Sequence, residues 1–140
     1  MEVYQNLDRF VSAQLTAYTE ALEEIRNGRK VGHWMWYIFP QLRGLGQSNM
    51  AWYYGIEDLD EAKAYLAHPV LGVRLREISV ELLKLPESNA GMIFGWTDSM
   101  KLRSCMTLFA IADESEPVFQ QVLDKFYQGE MDAVTTGSLK

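Results

Sequence analysis

Apolar residues recur at helical spacing along most of the chain. In residues 7–28, LDRFVSAQLTAYTEALEEIRNG, the positions Val11, Leu15, Tyr18, Leu22 and Ile25 step by three and four. That spacing predicts one amphipathic helix with those five as its buried stripe. Asn6 or Asp8 is a suitable cap at its start, and Asn27-Gly28 is a left-handed stop at its end. Gln14 lies beside the stripe, within reach of the interior. The same period predicts four further helices. Residues 58–68 open on Asp58 with Glu61 three positions later, a capping-box pattern. Residues 69–85 place Pro69 in a first turn and carry Leu71, Leu75, Ile78, Leu82 and Leu85. Residues 99–113 follow Asp98 as cap, with Leu102, Cys105, Met106, Phe109 and Ala112 on one side. Residues 117–129 start at Pro117 and stop at Gly129.

Between these lie shorter pieces. HWMWYIF, residues 33–39, is apolar on both faces and reads equally as a short helix or a strand. Pro40 ends it, and QLRGLGQSN is a loop with two glycines. SNMAWYYG is a short helix capped by Ser48 or Asn49. ESNAGMIFGW is a connector, and the tail MDAVTTGSLK an extended closing strap. About six helices with no alternating strand pairs predict a mainly α fold, a compact single-domain orthogonal helical bundle with irregular connectors. No repeat or linker divides it, so residues 1–140 form one globular domain.

Composition narrows the function classes. Hydrophobic residues make up 48% and charged residues 23% of 140, a globular balance able to form a core without metal or disulfide staples. The net charge of −6 argues against a nucleic-acid duplex as partner. One cysteine, Cys105, allows no internal disulfide, which fits a cytoplasmic setting. The start MEVYQNLDRF has neither the basic end nor the apolar run of a signal peptide, and no segment approaches the roughly 20 apolar residues of a membrane span. With two histidines and one cysteine there is no zinc spacing, and no phosphate-loop, dinucleotide or nucleophile-elbow motif occurs. No cofactor is expected. His68, before Pro69, reads as structural. Glu23-Glu24 reads as solvated helix surface.

The blocks LDRFVSAQ, GRKVGHWMWYIFPQLRGLGQS, YGIEDLDEAKAYLAHPVLGVRL, DSMKLRSCMTLF and VLDKFYQGEMDAVT resemble, in order, those of the uncharacterised bacterial family numbered 1810 among the domains of unknown function. The resemblance covers residues 7–136 and implies a compact helical domain, with no established reaction. Some relatives carry the label calpastatin, but an extended protease inhibitor would be disordered and this composition is built to fold. At the level of an aromatic-rich helical fold there is also an analogy to NADAR domains, which process ADP-ribose derivatives; their signature is absent here as such.

Two constellations carry chemistry. In KVGHWMWYIFPQLRGLG, His33 is a candidate acid or base, Trp34 and Trp36 offer flat faces for stacking, and Arg43 is a candidate anion holder. The plainer reading makes His33 a backbone-bonded histidine and the aromatics core. In DSMKLRSCMTLF, Lys101 sits in a helix first turn, where a cation opposes the helix dipole and a bound anion or a carboxylate would offset it. Ser104 shares its face. Ser48 adds a small anion-ready turn. Together these predict a cytoplasmic protein that binds, and as an enzyme would hydrolyse, an anionic small molecule such as a nucleotide or ADP-ribose conjugate. His33 would be catalytic, with Trp34, Trp36, Arg43, Ser48, Lys101 and Ser104 as ligand contacts. The alternative is a non-catalytic protein- or peptide-interaction module using residues 33–48. The oligomeric state is not legible.

Overall fold

The computed structural model describes the backbone of residues 2–139 and the side chains of residues 7–139. It is a bundle of α1 (Glu2–Arg26), α2 (Met35–Ile38), α3 (Asn49–Tyr53), α4 (Leu59–Ala67), α5 (Leu71–Lys84), α6 (Ala90–Phe94), α7 (Trp96–Ala112), α8 (Pro117–Tyr127) and α9 (Ala133–Ser138). Among the described residues no strand forms; one isolated parallel bridge joins Leu42 and Ile56. No helix among them is long and apolar enough to cross a membrane.

At the centre is α7. Leu102, Cys105, Met106, Leu108 and Phe109 are all fully buried, so its apolar surface runs around the axis rather than along one stripe. It packs against α4, α6, α8 and α9, while α1 lies across α2, α4 and α5. A helix buried on most sides must satisfy its own polar groups. Ser99, Ser104 and Thr107 do so by donating to the carbonyls of Trp96, Met100 and Arg103 at 2.7, 3.2 and 2.8 Å. The remaining oxygen capacity of Thr107 accepts the Asp132 amide at 2.9 Å, which ties the start of α9 to α7.

Of the predicted stripe of α1, Tyr18, Leu22 and Ile25 are buried and Val11 packs half-buried against the core, while Leu15 is displaced. Leu7, Phe10, Gln14, Tyr18, Ala21, Leu22 and Ile25 face the core; Leu15 is 76% exposed. Gln14 occupies a core position because a carbonyl there needs a donor. Its carboxamide donates to Tyr37 O at 2.7 Å and to the Tyr65 hydroxyl at 3.1 Å, and accepts from Arg74 at 3.4 Å. The helix also starts upstream of the predicted cap, at Glu2.

Other ends follow local rules. Ser48 accepts from Ala51 N and caps α3; Asp58 accepts from Glu61 N and caps α4. Glu61 reaches Glu57 N at 2.8 Å rather than completing the box on Asp58. Its carboxylate is shared with Arg9, which it meets at 3.1 Å. His68 Nδ1 accepts the amides of Val70 and Leu71 at 3.1 and 3.3 Å, so the imidazole satisfies donors at the start of α5. The predicted connector 87–96 contains α6, capped by Asn89. The predicted strap is α9, because Asp132 accepts the Thr135 amide at 2.9 Å. Lys140, its last residue, lies outside the described residues.

Candidate functional site

The segment 30–39 is held by a carboxylate that composition does not mark. Glu24 Oε1 accepts the Val31 and Gly32 amides at 2.8 and 2.9 Å and the Trp34 indole N–H at 2.8 Å. Burial alone would raise the Glu24 carboxyl, but these three donors and the nearby Lys30 ammonium hold it below the usual range. Glu24 is therefore a clamp, not solvated surface. With its N–H committed there and the ring 1% exposed, Trp34 is core. That corrects its expected role as a stacking platform. Met35, Ile38 and Phe39 are buried beside it. His33, expected at the heart of the site, projects from the turn into solvent and lines neither cleft described below. Nothing in the sequence indicates on which side of that turn the imidazole falls.

Asp98 sits in the first turn of α7, after Gly95 at the cap position. The predicted cap is displaced because Gly95 takes a φ of 82° there. Its carboxylate joins two lysines. Lys30 meets Oδ2 at 2.8 Å with 8% of its side chain exposed, and Lys101 meets Oδ1 at the longer 3.5 Å with 22% exposed. Lys30 also donates to Gly32 O and lies over the Trp34 ring, so it is fixed in place. Lys101 rests on the face of Trp36, its ammonium 5.0 Å from the ring centre. Trp36 is half-buried, with an indole N–H that has no hydrogen-bond partner among the described residues. The offset that Lys101 needs at a helix start is thus a carboxylate.

From Leu42 to Ile56 the chain makes a loop that closes on itself. Arg43 N donates to Ile56 O at 2.7 Å and Ile56 N to Gln41 O at 2.9 Å. Arg43 then turns back over the loop. Its Nε donates to Trp52 O at 2.8 Å, its guanidinium lies 4.9 Å from the Trp52 ring, and Nη1 meets Glu57 at 3.4 Å. Arg9 binds the carbonyls of Tyr53 and Gly55, both at 2.8 Å. Two guanidiniums thus cover the last carbonyls of α3.

Two clefts flank this loop. The larger, about 710 Å³, is lined by Arg9, Arg43, Tyr53, Tyr54, Glu57 and Glu61 among others. Its cations are already paired with its carboxylates and carbonyls. The other, about 430 Å³, lies between the loop and the start of α7. The loop side gives Gln41, Leu45, Gln47 and Ser48; the helix side gives Thr97, Met100, Lys101 and Ser104; Asp132 and Val134 close one end. This second cleft unites three predicted contacts, Ser48, Lys101 and Ser104. Arg43 belongs to the first cleft instead, because its guanidinium is drawn to the end of α3. Gln41, Gln47 and Thr97 escaped sequence reasoning. The two glutamines bracket the Gly-rich loop, and that bracketing was the available signal.

Among the described residues no group of histidines, cysteines and carboxylates is arranged to hold a metal ion. The exposed aromatics Trp52 and Trp96, 61% and 78% accessible, lie outside residues 33–48.

The chain resembles known proteins over almost its entire length. No curated protein matches it significantly. A crystal structure of the conserved hypothetical protein Rv1873 from Mycobacterium tuberculosis is similar at 48% identity over 96% of each chain, with a TM-score of 0.94. That likeness supplies a fold and no reaction. A family profile described as protein of unknown function (DUF1810) matches residues 4–139, and the chain belongs to that family.

Proposed function

We propose that this protein binds a small polar molecule carrying an anionic group, in the cleft between the loop 41–48 and the start of α7. The observation that carries the reading is the convergence of Lys101, Ser104 and Ser48, from distant parts of the chain, on one cavity of about 430 Å³. Sites for small molecules combine an apolar wall with a few converging polar groups. Here Leu45, Met100 and Val134 supply the wall, and Lys101 supplies a cation held more loosely than Lys30. Nucleotides, ADP-ribose conjugates and sugar phosphates are the classes to screen.

His33 lies away from the cleft, so hydrolysis through its imidazole has no geometric support. A docking function for residues 33–48 has little to stand on, since Trp34, Met35, Ile38 and Phe39 are buried. The buried, unpaired Cys105 suits a reducing compartment such as the cytoplasm.

A thermal-shift screen against those compounds tests this. A ligand at one hundred times its dissociation constant adds about 2.7 kcal/mol to apparent stability. Lys101→Met is expected to cancel the shift while changing unliganded stability by less than about 1 kcal/mol, as for other partly exposed sites. An equal shift in Lys101→Met, or no shift with any compound, contradicts the proposal.

A further inference from the structure

The charges in and beneath this cleft limit what it can take. Of the described residues that line it, Lys101 is the one cation and Asp132 the one anion. Behind Lys101 stands Asp98, already neutralised by Lys30 at 2.8 Å. Two ammoniums and two carboxylates therefore cancel. A site for a phosphate chain needs several cations, often arginines gripping two oxygens each. This cleft has no arginine in its lining, because Arg43 is committed to Trp52 O and Glu57 on the far side of the loop.

The neutral groups are more generous. Gln41 and Gln47 offer amides, and Thr97 a hydroxyl. Ser48 Oγ already accepts from Ala51 N at 3.0 Å, which leaves its hydrogen free to donate. Ser104 already donates to Met100 O at 3.2 Å, which leaves its oxygen free to accept. The two serines thus present opposite hydrogen-bonding polarity, matched to hydroxyls or ring amides on a ligand.

Resting on the binding reading above, we infer that the cleft selects a ligand with a single negative charge. Such a ligand carries its charge at Lys101 and neutral hydrogen-bonding groups towards Gln41, Gln47, Ser48 and Ser104. A carboxylate or phosphodiester on a sugar- or nucleoside-sized body fits; a polyphosphate does not. A second anionic group would meet Asp132, the one carboxylate in the lining, with no further cation to receive it.

The test is isothermal titration at pH 8 with two ladders of rising charge. One is adenosine, its 3′,5′-cyclic phosphate, its 5′-phosphate and its 5′-diphosphate. The other is glucose, gluconate, glucose 6-phosphate and glucose 1,6-bisphosphate. In at least one ladder the singly charged member is expected to bind tenfold or more tighter than both the neutral and the multiply charged members. Asp132→Asn removes a carboxylate yet keeps an oxygen to cap α9, and is expected to raise affinity for the doubly charged members at least fivefold. Affinity that climbs with every added charge in the wild type overturns the inference and leaves the binding reading standing. An Asp132→Asn variant with unchanged charge preference also overturns it. Failure of every member of both ladders to bind overturns the binding reading and the inference together.

Discussion

Gly72→Ala is expected to destabilise the protein by more than about 3 kcal/mol, although alanine is the better helix former by about 1 kcal/mol. A Cβ at this position would lie 2.1 Å from the Leu66 carbonyl oxygen and 2.8 Å from its carbon. The obstacle is backbone at the end of α4, so no rotamer change relieves it. Arg76 Nη1 also donates to that oxygen at 3.3 Å, and the Gly72 amide is bonded to His68 O at 3.1 Å. The first turn of α5 and the last turn of α4 would have to separate. Gly137→Ala is the control: its Cβ would meet nothing within 4 Å. It is expected to be neutral or slightly stabilising. Urea midpoints measured on both variants check the pair. A Gly72→Ala midpoint at or above the wild-type value contradicts the close packing of α4 on α5.

Glu24→Ala is expected to cost about 2–3 kcal/mol, chiefly for the buried Trp34 indole and the Gly32 amide left without an acceptor. The Val31 amide, beside an exposed side chain, can turn to water and adds less. Glu24→Gln keeps an acceptor and is expected to retain more of the stability than Glu24→Ala. The two differ from wild type in pH dependence as well. Because the folded carboxyl titrates below its ordinary value, its contribution is present above about pH 4.3 and is lost as the pH falls through the folded value. Unfolding free energies from pH 6 down to 3 are therefore expected to fall less steeply in either variant than in wild type. Glu81, also held low, by Lys84 and Arg26, leaves a residual slope in all three. Parallel curves for wild type and Glu24→Gln contradict the clamp.

These two cases separate what local sequence carries from what it does not. Ser48, Asp58 and Pro117 open helices where their chemistry says they should, because a cap or a fixed φ acts within one turn. Leu71, Leu75, Ile78 and Leu82 are buried as their period requires, while Leu85, the last of the predicted stripe, caps the helix end and is half-buried. The stripe of α1 failed at Leu15 because Gln14 holds the core position beside it, and the reason for Gln14 being there, Tyr37 O and Tyr65, comes from elsewhere in the chain. Glu24 was invisible for a related cause. Its partners lie seven to ten positions ahead, beyond helix periodicity. Likewise Gly72 announces itself only against Leu66 O.

The site divides in the same way. Lys101 and Ser104 share a helix face by spacing alone, and that much was legible. Placing Ser48 opposite them requires the bridge between Leu42 and Ile56, a tertiary feature. Trp34 and His33 stand next to each other in sequence and part company in space, one sealed by Glu24 and the other turned to solvent. Arg43 was drawn away by the open carbonyl end of α3.

A small anionic molecule is expected to occupy the cleft between the loop 41–48 and α7. Amide chemical-shift mapping shows where it sits, with adenosine 3′,5′-cyclic phosphate and gluconate titrated separately into the labelled protein. At least one of them is expected to move the amides of Leu45 to Ser48, Thr97 to Ser104 and Asp132 to Val134, and Lys101→Met to abolish those changes. Shifts centred on Arg9, Arg43 and Glu61, shifts centred on His33, or no shifts with either compound would contradict it.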